Sequence, residues 1–412
     1  MTEDILINYY RDEDFSLLKK LTLVIPTYNR NYYLSRCLWY HAHFPFGQII
    51  VADSSPEEKK VVNRETVAKV REMFGANILY QEYEPETDKY GRDIYLKWAT
   101  AINCVNTPYS VLLTDKEFAF PKTFVHCLVF LEQHPDYLSA DGQFIQIQAQ
   151  NDDVTNRFFY ESPNDRTYNQ DSYMERFEEF LHPKDGNVGS FNSLPTIRKS
   201  EYHKYIYNKL VEYKLNDIRF GDFIPQLLTV LGGKRAHFKD LPYKCRDLTN
   251  LVSKNGVNGS ESSAHRYPFI STYISDGVYD ELVENTKLCI SDCLSNWFCL
   301  ENLNSSQIEY IVNEYTSKTI LKKPSICGLF LIALNPIIYD SIYLFGKNIL
   351  LSNRFNGFNR YKYFQHLPEF LSIKRRLVGR ANVPLPNEDM QMLYDLLITT
   401  NCEKHEDDLS II

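Results

Sequence analysis

Four short apolar runs, each closed by polar residues, alternate with longer amphipathic stretches over the first third of the chain. The runs are LTLVIPTY at 21–28, QIIVADSS at 48–55, NILYQEY at 77–83 and YSVLLTD at 109–115. Runs of this length and composition are typical of buried strands. Helices are predicted at 29–44, 57–74, 89–106 and 121–134. Gly75 and Pro121 support this interpretation, since glycine often ends a helix and proline often begins one.

Strands that alternate with helices, and that are apolar along most of their length, predict an α/β fold. Its sheet is expected to be mostly parallel, with helices on both faces. Ligands bind such sheets outside the carboxyl ends of the strands. Polar clusters at 27–30, 53–55 and 115–117 each follow a predicted strand. If the strands are parallel, these clusters lie along one edge, and we expect a site there.

Beyond residue 136 the alternation weakens. Residues 137–150 are strand-like, 171–182 have helical potential, and 219–247 predict a turn, a helix, a Gly-Gly stop and a short strand. The length of 412 residues is enough for two domains. The predicted division is an N-terminal helical extension at 1–19, an α/β domain at 20–250, a linker or mobile loop at 251–268 and a mostly helical C-terminal domain at 269–412.

Composition narrows the class of protein. Hydrophobic residues make up 44% and charged residues 24% of the chain, as in ordinary globular proteins. The net charge of −8 argues against nucleic acid as a partner, because binding to phosphates needs a basic surface. The nine cysteines show no CxxC spacing. They are interpreted as small buried side chains in a reducing compartment and not as zinc ligands.

The expected location is cytoplasmic. The first residues show no signal-peptide pattern, and Asn335 and Pro336 interrupt the longest apolar stretch, at 326–339. A basic cluster at 372–380 leaves two alternatives open. It is either a peripheral contact with an anionic membrane surface, or a solvated helix face or dimer contact.

Asp115 and Glu117 flank Lys116 directly after the fourth predicted strand. Side chains alternate along an extended segment, so we expect both carboxylates on one side and Lys116 on the other. Two carboxylates form a hard oxygen set that suits Mg²⁺ or Mn²⁺ together with substrate phosphates. The alternative is a solvated turn, because an acidic pair of this spacing is common.

The segments LTLVIPTYNR, IIVADSS, YSVLLTDKEF and FGDFIPQLL follow one another in a recognisable order and spacing. Over residues 18–250 the chain resembles a family-2-like glycosyltransferase with a GT-A nucleotide-sugar-binding fold. The subgroup that it resembles shows the succession PTYNR, DSS, K, TPY and DDD. The resemblance implies inverting transfer of a sugar from a nucleotide-diphosphate sugar to a hydroxyl acceptor. That acceptor would be a surface polysaccharide, a lipid-linked glycan or another glycoconjugate.

The resemblance also implies roles for individual residues. Asp115 and Glu117 match the outer acids of the D-x-D motif and would hold Mg²⁺ or Mn²⁺, although Lys116 replaces the middle acid. Asp222, just before a predicted helix, would be the general base, and its alternative role is a helix N-cap. The residues expected to contact the nucleotide or its diphosphate are Pro26, Thr27, Tyr28, Arg30, Asp53, Lys97, Asp115 and Arg246.

Several of these roles have structural alternatives. Asp53 is equally suited to cap the turn that follows it. Lys97 could instead occupy a solvated position on its helix. Arg246 could instead form an ion pair with Asp247. Asp141 is a candidate for shaping the acceptor side.

Two other functions remain open at this level. One is a sugar nucleotidyltransferase, although PTYNRNYY lacks the glycine-rich loop expected there. The other is a catalytically inactive nucleotide-binding or scaffold protein.

Overall fold

The computed structural model describes a defined part of the chain. The described residues are 10, 13–87, 94–148, 157–160, 166–182, 194–215, 224–247, 278–296, 303–319 and 392. The predicted linker at 251–268, the apolar stretch at 326–339 and the basic cluster at 372–380 lie outside them, as does Asp222.

Over residues 21–112 the described strands and helices alternate as expected from the sequence. The strands are β1 Leu21–Thr27, β2 Gln48–Asp53, β3 Ile78–Glu82, β4 Tyr109–Leu112, β5 Glu117–Ala119, β6 Tyr137–Gln148, β7 Arg157–Tyr160, β8 Ile197–Lys199 and β9 Lys234–Asp247. The helices are α1 Asn31–Ala42, α2 Glu57–Phe74, α3 Ile94–Asn103, α4 Pro121–Gln133, α5 Tyr173–Leu181, α6 Ser200–Glu212, α7 Ile224–Gly232, α8 Val278–Asn296 and α9 Ser305–Thr319. A short 3₁₀ helix, Ser16–Lys20, precedes β1.

Local sequence signals explain several of these boundaries. Helix α2 carries Glu57 and Glu58 in its first turn and ends at Gly75, which has a φ of 63°. Acidic side chains stabilise the positive end of a helix, and glycine adopts the left-handed conformation without steric cost. Proline at the first position of α4 begins that helix as predicted.

The nine described strands form one sheet in the order β3-β2-β1-β4-β8-β6-β9-β5, with β7 paired to β6. The four strands β3, β2, β1 and β4 are mutually parallel. The other half is mixed, because β8 runs antiparallel to both β4 and β6, and β5 runs antiparallel to β9. The α/β class is therefore confirmed: the first four strands build an all-parallel half, and in the mixed half β6 also pairs in parallel with β9.

Helices cover both faces of the sheet, as predicted. Alternate residues of β1 point to opposite sides, so Leu23 and Ile25 enter one buried cluster while Val24 enters the other. The first cluster also contains Leu34, Val67 and Leu128, from α1, α2 and α4. The second contains Trp98, Ile206 and Leu228, from α3, α6 and α7.

The described C-terminal helices belong to the second cluster. Cys289 and Cys293 of α8 and Ile311 of α9 are buried in it. These two helices therefore share a hydrophobic core with the α/β region. Within the described part of the chain, no helix is both long and apolar enough to cross a membrane.

Candidate functional site

The polar clusters that follow β1, β2 and β4 meet at one edge of the parallel half-sheet. The β1–β2 register places Thr27 opposite Asp53. The Thr27 hydroxyl donates to Asp115 Oδ2 at 2.7 Å. The backbone N–H of Asn29 donates to Ser55 Oγ at 2.8 Å. The prediction that these clusters share one edge is confirmed.

Asp115 is buried, and its two carboxylate oxygens have different partners. Oδ2 accepts the hydrogen bond from Thr27, and Oδ1 accepts one from Arg30 Nη1 at 3.2 Å. The Arg30 side chain is 25% exposed, whereas that of Asp115 is 1% exposed. The arginine therefore extends from a buried acid to the surface of the edge, directly before α1 begins.

The chain turns between Asp115 and Glu117 and is not extended there. The backbone N–H of Glu117 donates to the Thr114 carbonyl at 2.9 Å, and the Thr114 N–H donates to Glu117 Oε2 at 2.8 Å. The expectation that both carboxylates face one side of a strand was therefore based on the wrong local conformation. Lys116 lies in this turn, with Nζ 4.0 Å from the centre of the Tyr33 ring.

Glu117 is buried between two cations of β9. Strand β5 pairs Glu117 with Arg246, whose Nε and Nη2 lie 2.9 Å and 2.6 Å from Glu117 Oε1. Lys244 Nζ donates to the same oxygen, and its side chain is fully buried. Burial alone raises the pKa of Glu117, but Arg246, Lys244 and the Thr114 N–H outweigh it and lower the pKa to about 2.

Lys244 was not predicted as a site residue. The available signal was the alternation in PYKCRD, which places Lys244 and Arg246 two residues apart on one side of a strand. The predicted alternative for Arg246 was an ion pair with Asp247. The side chain of Asp247 is not among those that the structure describes. What the structure shows is the ion pair of Arg246 with Glu117.

The two acids do not fit the predicted Mg²⁺ or Mn²⁺ site. Each of their four oxygens already accepts a hydrogen bond from the protein, and Glu117 Oε1 is held by two cationic side chains. Among the described residues, no group of three or more His, Cys, Asp or Glu is arranged to hold a metal ion. A divalent cation would have to displace arginine and lysine from these carboxylates.

Asp53 is fully buried and forms the turn cap that the sequence allowed. Its Oδ1 accepts the Ser55 N–H at 2.8 Å. Its Oδ2 accepts from Asn63 Nδ2 at 2.7 Å and from the Tyr80 hydroxyl at 2.6 Å. Burial and the neighbouring Asp53 raise the pKa of Tyr80, which therefore stays protonated as a donor. Recognition of a nucleotide base by Asp53 stays a prediction.

Lys97 occupies a buried position on α3, and the alternative of a solvated lysine is wrong. Its ammonium donates to Ser54 Oγ at 2.9 Å and to the Thr27 carbonyl at 3.3 Å. It thereby connects the carboxyl ends of β1 and β2. Pro26 is buried within β1, while Tyr28 is partly exposed in the loop that leads to α1.

Asp141, expected near the acceptor, belongs to a separate buried network. It accepts from Arg235 Nη2 at 2.8 Å and 2.9 Å, from His237 Nδ1 at 2.7 Å and from Thr196 Oγ1 at 2.8 Å. Burial raises the pKa of Asp141, but Arg235 and His237 outweigh it and lower the pKa overall. These contacts link Asp141 of β6 to β9 and to Thr196, the residue directly before β8.

No protein-family model matches the chain, and the comparison with curated proteins finds no match either. Several solved structures of S. aureus TarS are similar to it. TarS 1-349 shares 12% identity at a TM-score of 0.43, covering 94% of this chain and 92% of that chain. TarS 1-349 in complex with UDP-GlcNAc shares 12% identity at a TM-score of 0.43, and the match covers 72% of each chain. A third TarS structure shares 13% identity at a TM-score of 0.42, and the match covers 73% of this chain and 44% of that chain.

This chain therefore spans less than half of the third TarS structure. At this identity and this degree of superposition, the likeness assigns no activity to the chain.

Proposed function

We propose that this chain is a glycosyltransferase that moves a sugar from a nucleotide-diphosphate sugar to a hydroxyl acceptor. The observation that carries the proposal is the meeting of three motif segments at the carboxyl edge of the parallel strands. Thr27 and Arg30 each donate a hydrogen bond to Asp115 there, and Lys97 joins the β1 and β2 ends. Open α/β sheets bind ligands at this edge.

The chemistry of the edge suits a donor that carries a diphosphate. Arg30 and Arg246 are each about a quarter exposed and are each anchored on a buried carboxylate. Planar guanidinium groups bind phosphate oxygens through two N–H donors at once. In the proposed reaction they would stabilise the negative charge that develops on the leaving nucleoside diphosphate.

The general base of the proposed reaction is Asp222. It would accept the proton of the acceptor hydroxyl while that oxygen attacks the anomeric carbon, which gives inversion. Asp222 lies outside the described residues, so this role stays a prediction from the sequence resemblance. The acceptor is proposed to be a glycan, a lipid-linked glycan or a glycoconjugate. The reaction would take place in the cytoplasm.

A second candidate is a nucleotide-binding protein without transferase activity. The ion pairs that occupy Glu117 favour it, because they remove one acid from the metal site that family-2-like enzymes use. Turnover separates the two candidates. A transferase releases nucleoside diphosphate from a sugar donor, whereas a binding protein releases none.

The direct test is a thermal-unfolding screen with UDP, GDP, CDP and their sugar conjugates, followed by assay of released nucleoside diphosphate. A ligand that binds only the folded protein raises the melting temperature by mass action. We expect a shift with one nucleotide that is reduced in Arg30→Gln and unchanged in Lys20→Gln. Lys20 is the matched control, because it is an exposed cation directly before β1, at the opposite end of that strand. Absence of any shift across the panel would contradict the donor-site assignment.

A further inference from the structure

We propose that the donor diphosphate is bound without a divalent cation, and that Arg246, held by Glu117, takes the place of the metal. The proposal rests on the proposed function, because it concerns how the same edge would hold a nucleotide-diphosphate donor. It starts from the disagreement between the metal site expected from the sequence and the ion pairs that the structure contains.

The side chains at the edge carry a net positive charge, whereas those of a metal-dependent site are negative before the metal binds. A pair of acids that holds Mg²⁺ needs the ion to make the site attractive to phosphate. Here Asp115 and Glu117 lie among the cations Arg30, Lys244 and Arg246. Positive charges outnumber negative ones among these five residues, so the protein itself supplies the attraction that a divalent ion would provide.

The buried position of Lys244 makes it unfavourable for a metal ion to displace Lys244 from Glu117. Its ammonium is fully buried and donates to Glu117 Oε1, and it lies 5.0 Å from the centre of the Phe144 ring. A divalent cation that took this oxygen would leave a buried ammonium without its carboxylate. Uncompensated buried charge is strongly disfavoured. The low pKa of Glu117 reflects the same strong coupling to its two cations.

Arg246 differs from Lys244 in that it reaches solvent. Both residues come from one side of β9, but the Arg246 side chain is 26% exposed whereas Lys244 is fully buried. Glu117 fixes the guanidinium through Nε and Nη2. A cation that is held in place before the ligand arrives loses little conformational freedom on binding. Glu117 therefore acts as a positioning residue for Arg246.

One further feature of the edge favours an anion. Helix α1 begins at Asn31, beside Arg30, and has no side-chain cap at its first turn. The positive end of a helix of this length attracts negative groups. Lys116, in contrast, has its ammonium over the Tyr33 ring. The structure thus assigns the phosphate contacts to Arg30 and Arg246, with Lys116 bound instead to an aromatic face.

The test measures nucleotide binding by isothermal titration calorimetry with the full chain. UDP, GDP and CDP are each titrated in excess EDTA, and again in Mn²⁺ or Mg²⁺. We expect the nucleotide that binds to keep its dissociation constant within about threefold when metal is removed. Arg246→Gln is expected to weaken binding at least tenfold, and Lys20→Gln is expected to leave it unchanged.

Different failures point to different conclusions. Binding that requires Mn²⁺ or Mg²⁺, with a loss of tenfold or more in EDTA, would overturn the metal-free site and leave the proposed function intact. No binding of any nucleotide in either condition would overturn the proposed function and this inference together. The comparison of the wild-type protein with and without EDTA needs no variant. It therefore shows whether binding requires a metal even if Arg246→Gln fails to fold. Where that variant folds, unchanged affinity would remove Arg246 from the site.

Discussion

Replacing Glu117 with glutamine tests the buried ion pairs most directly. The change keeps the size of the side chain and removes its charge, so the fully buried Lys244 then faces a neutral amide. The pKa of Glu117 falls from 4.5 to about 2 in the folded protein. At about 1.4 kcal/mol per pKa unit, this difference corresponds to roughly 3 kcal/mol of stability near neutral pH. Breaking one partner of a buried pair typically costs ~3–5 kcal/mol, in agreement with that figure.

The sign of the pH dependence follows from the lowered pKa. The unfolded state takes up its proton near pH 4.5 and the folded state near pH 2. The contribution of Glu117 is therefore fully present above pH 4.5 and is lost as the pH falls toward 2. Urea unfolding of the wild-type protein and of Glu117→Gln should give free energies that differ most at pH 7 and converge as the pH falls from 4.5 toward 2.

Two controls make the comparison specific. Glu132→Gln removes the acid of an exposed pair with Lys20 and should cost less than about 1 kcal/mol. The double variant Glu117→Leu with Lys244→Met removes both buried charges and should recover part of the loss, since such replacements are often neutral, while Arg246 and the Thr114 N–H still lose their acceptor. A loss below about 1 kcal/mol in Glu117→Gln at pH 7 would refute the coupling derived from these contacts.

Three further predictions concern the core around the site. Asp141→Asn leaves the fully buried Arg235 without its carboxylate and should lower the free energy of unfolding in urea by about 3 kcal/mol; a loss below 1 kcal/mol would contradict this. Gly142→Ala places a Cβ 2.6 Å from the Leu241 carbonyl oxygen, so calorimetry should show a lower melting temperature and a cost of about 1–3 kcal/mol. Burial lowers the pKa of His41 to about 4, so its imidazole should stay neutral in an NMR titration down to about pH 5. Stability should fall as the pH drops from 6.5 toward 4, because the unfolded state binds that proton first.

The sequence alone determined the local elements of the first half of the chain. Strand β1, helix α2 and helix α4 lie within about a residue of their predicted bounds, because run length, Gly75 and Pro121 are signals carried by neighbouring residues. It also determined where Thr27, Asp53 and Asp115 would meet. Parallel strands place their carboxyl ends at one edge, so this much of the site follows from the order of the elements.

Only the tertiary structure decided what those residues do. Glu117 and Lys244 are 127 residues apart, and β5 was not predicted because three residues give no usable periodicity. The turn at 114–117 replaced an expected extended segment, since its hydrogen bonds depend on the conformation that the Glu117 side chain adopts. Strand pairing between β5 and β9 brings two cations onto one acid, and pairing over such distances leaves no pattern in the local sequence. That is why the sequence predicted a metal at this edge while the fold placed arginine and lysine there.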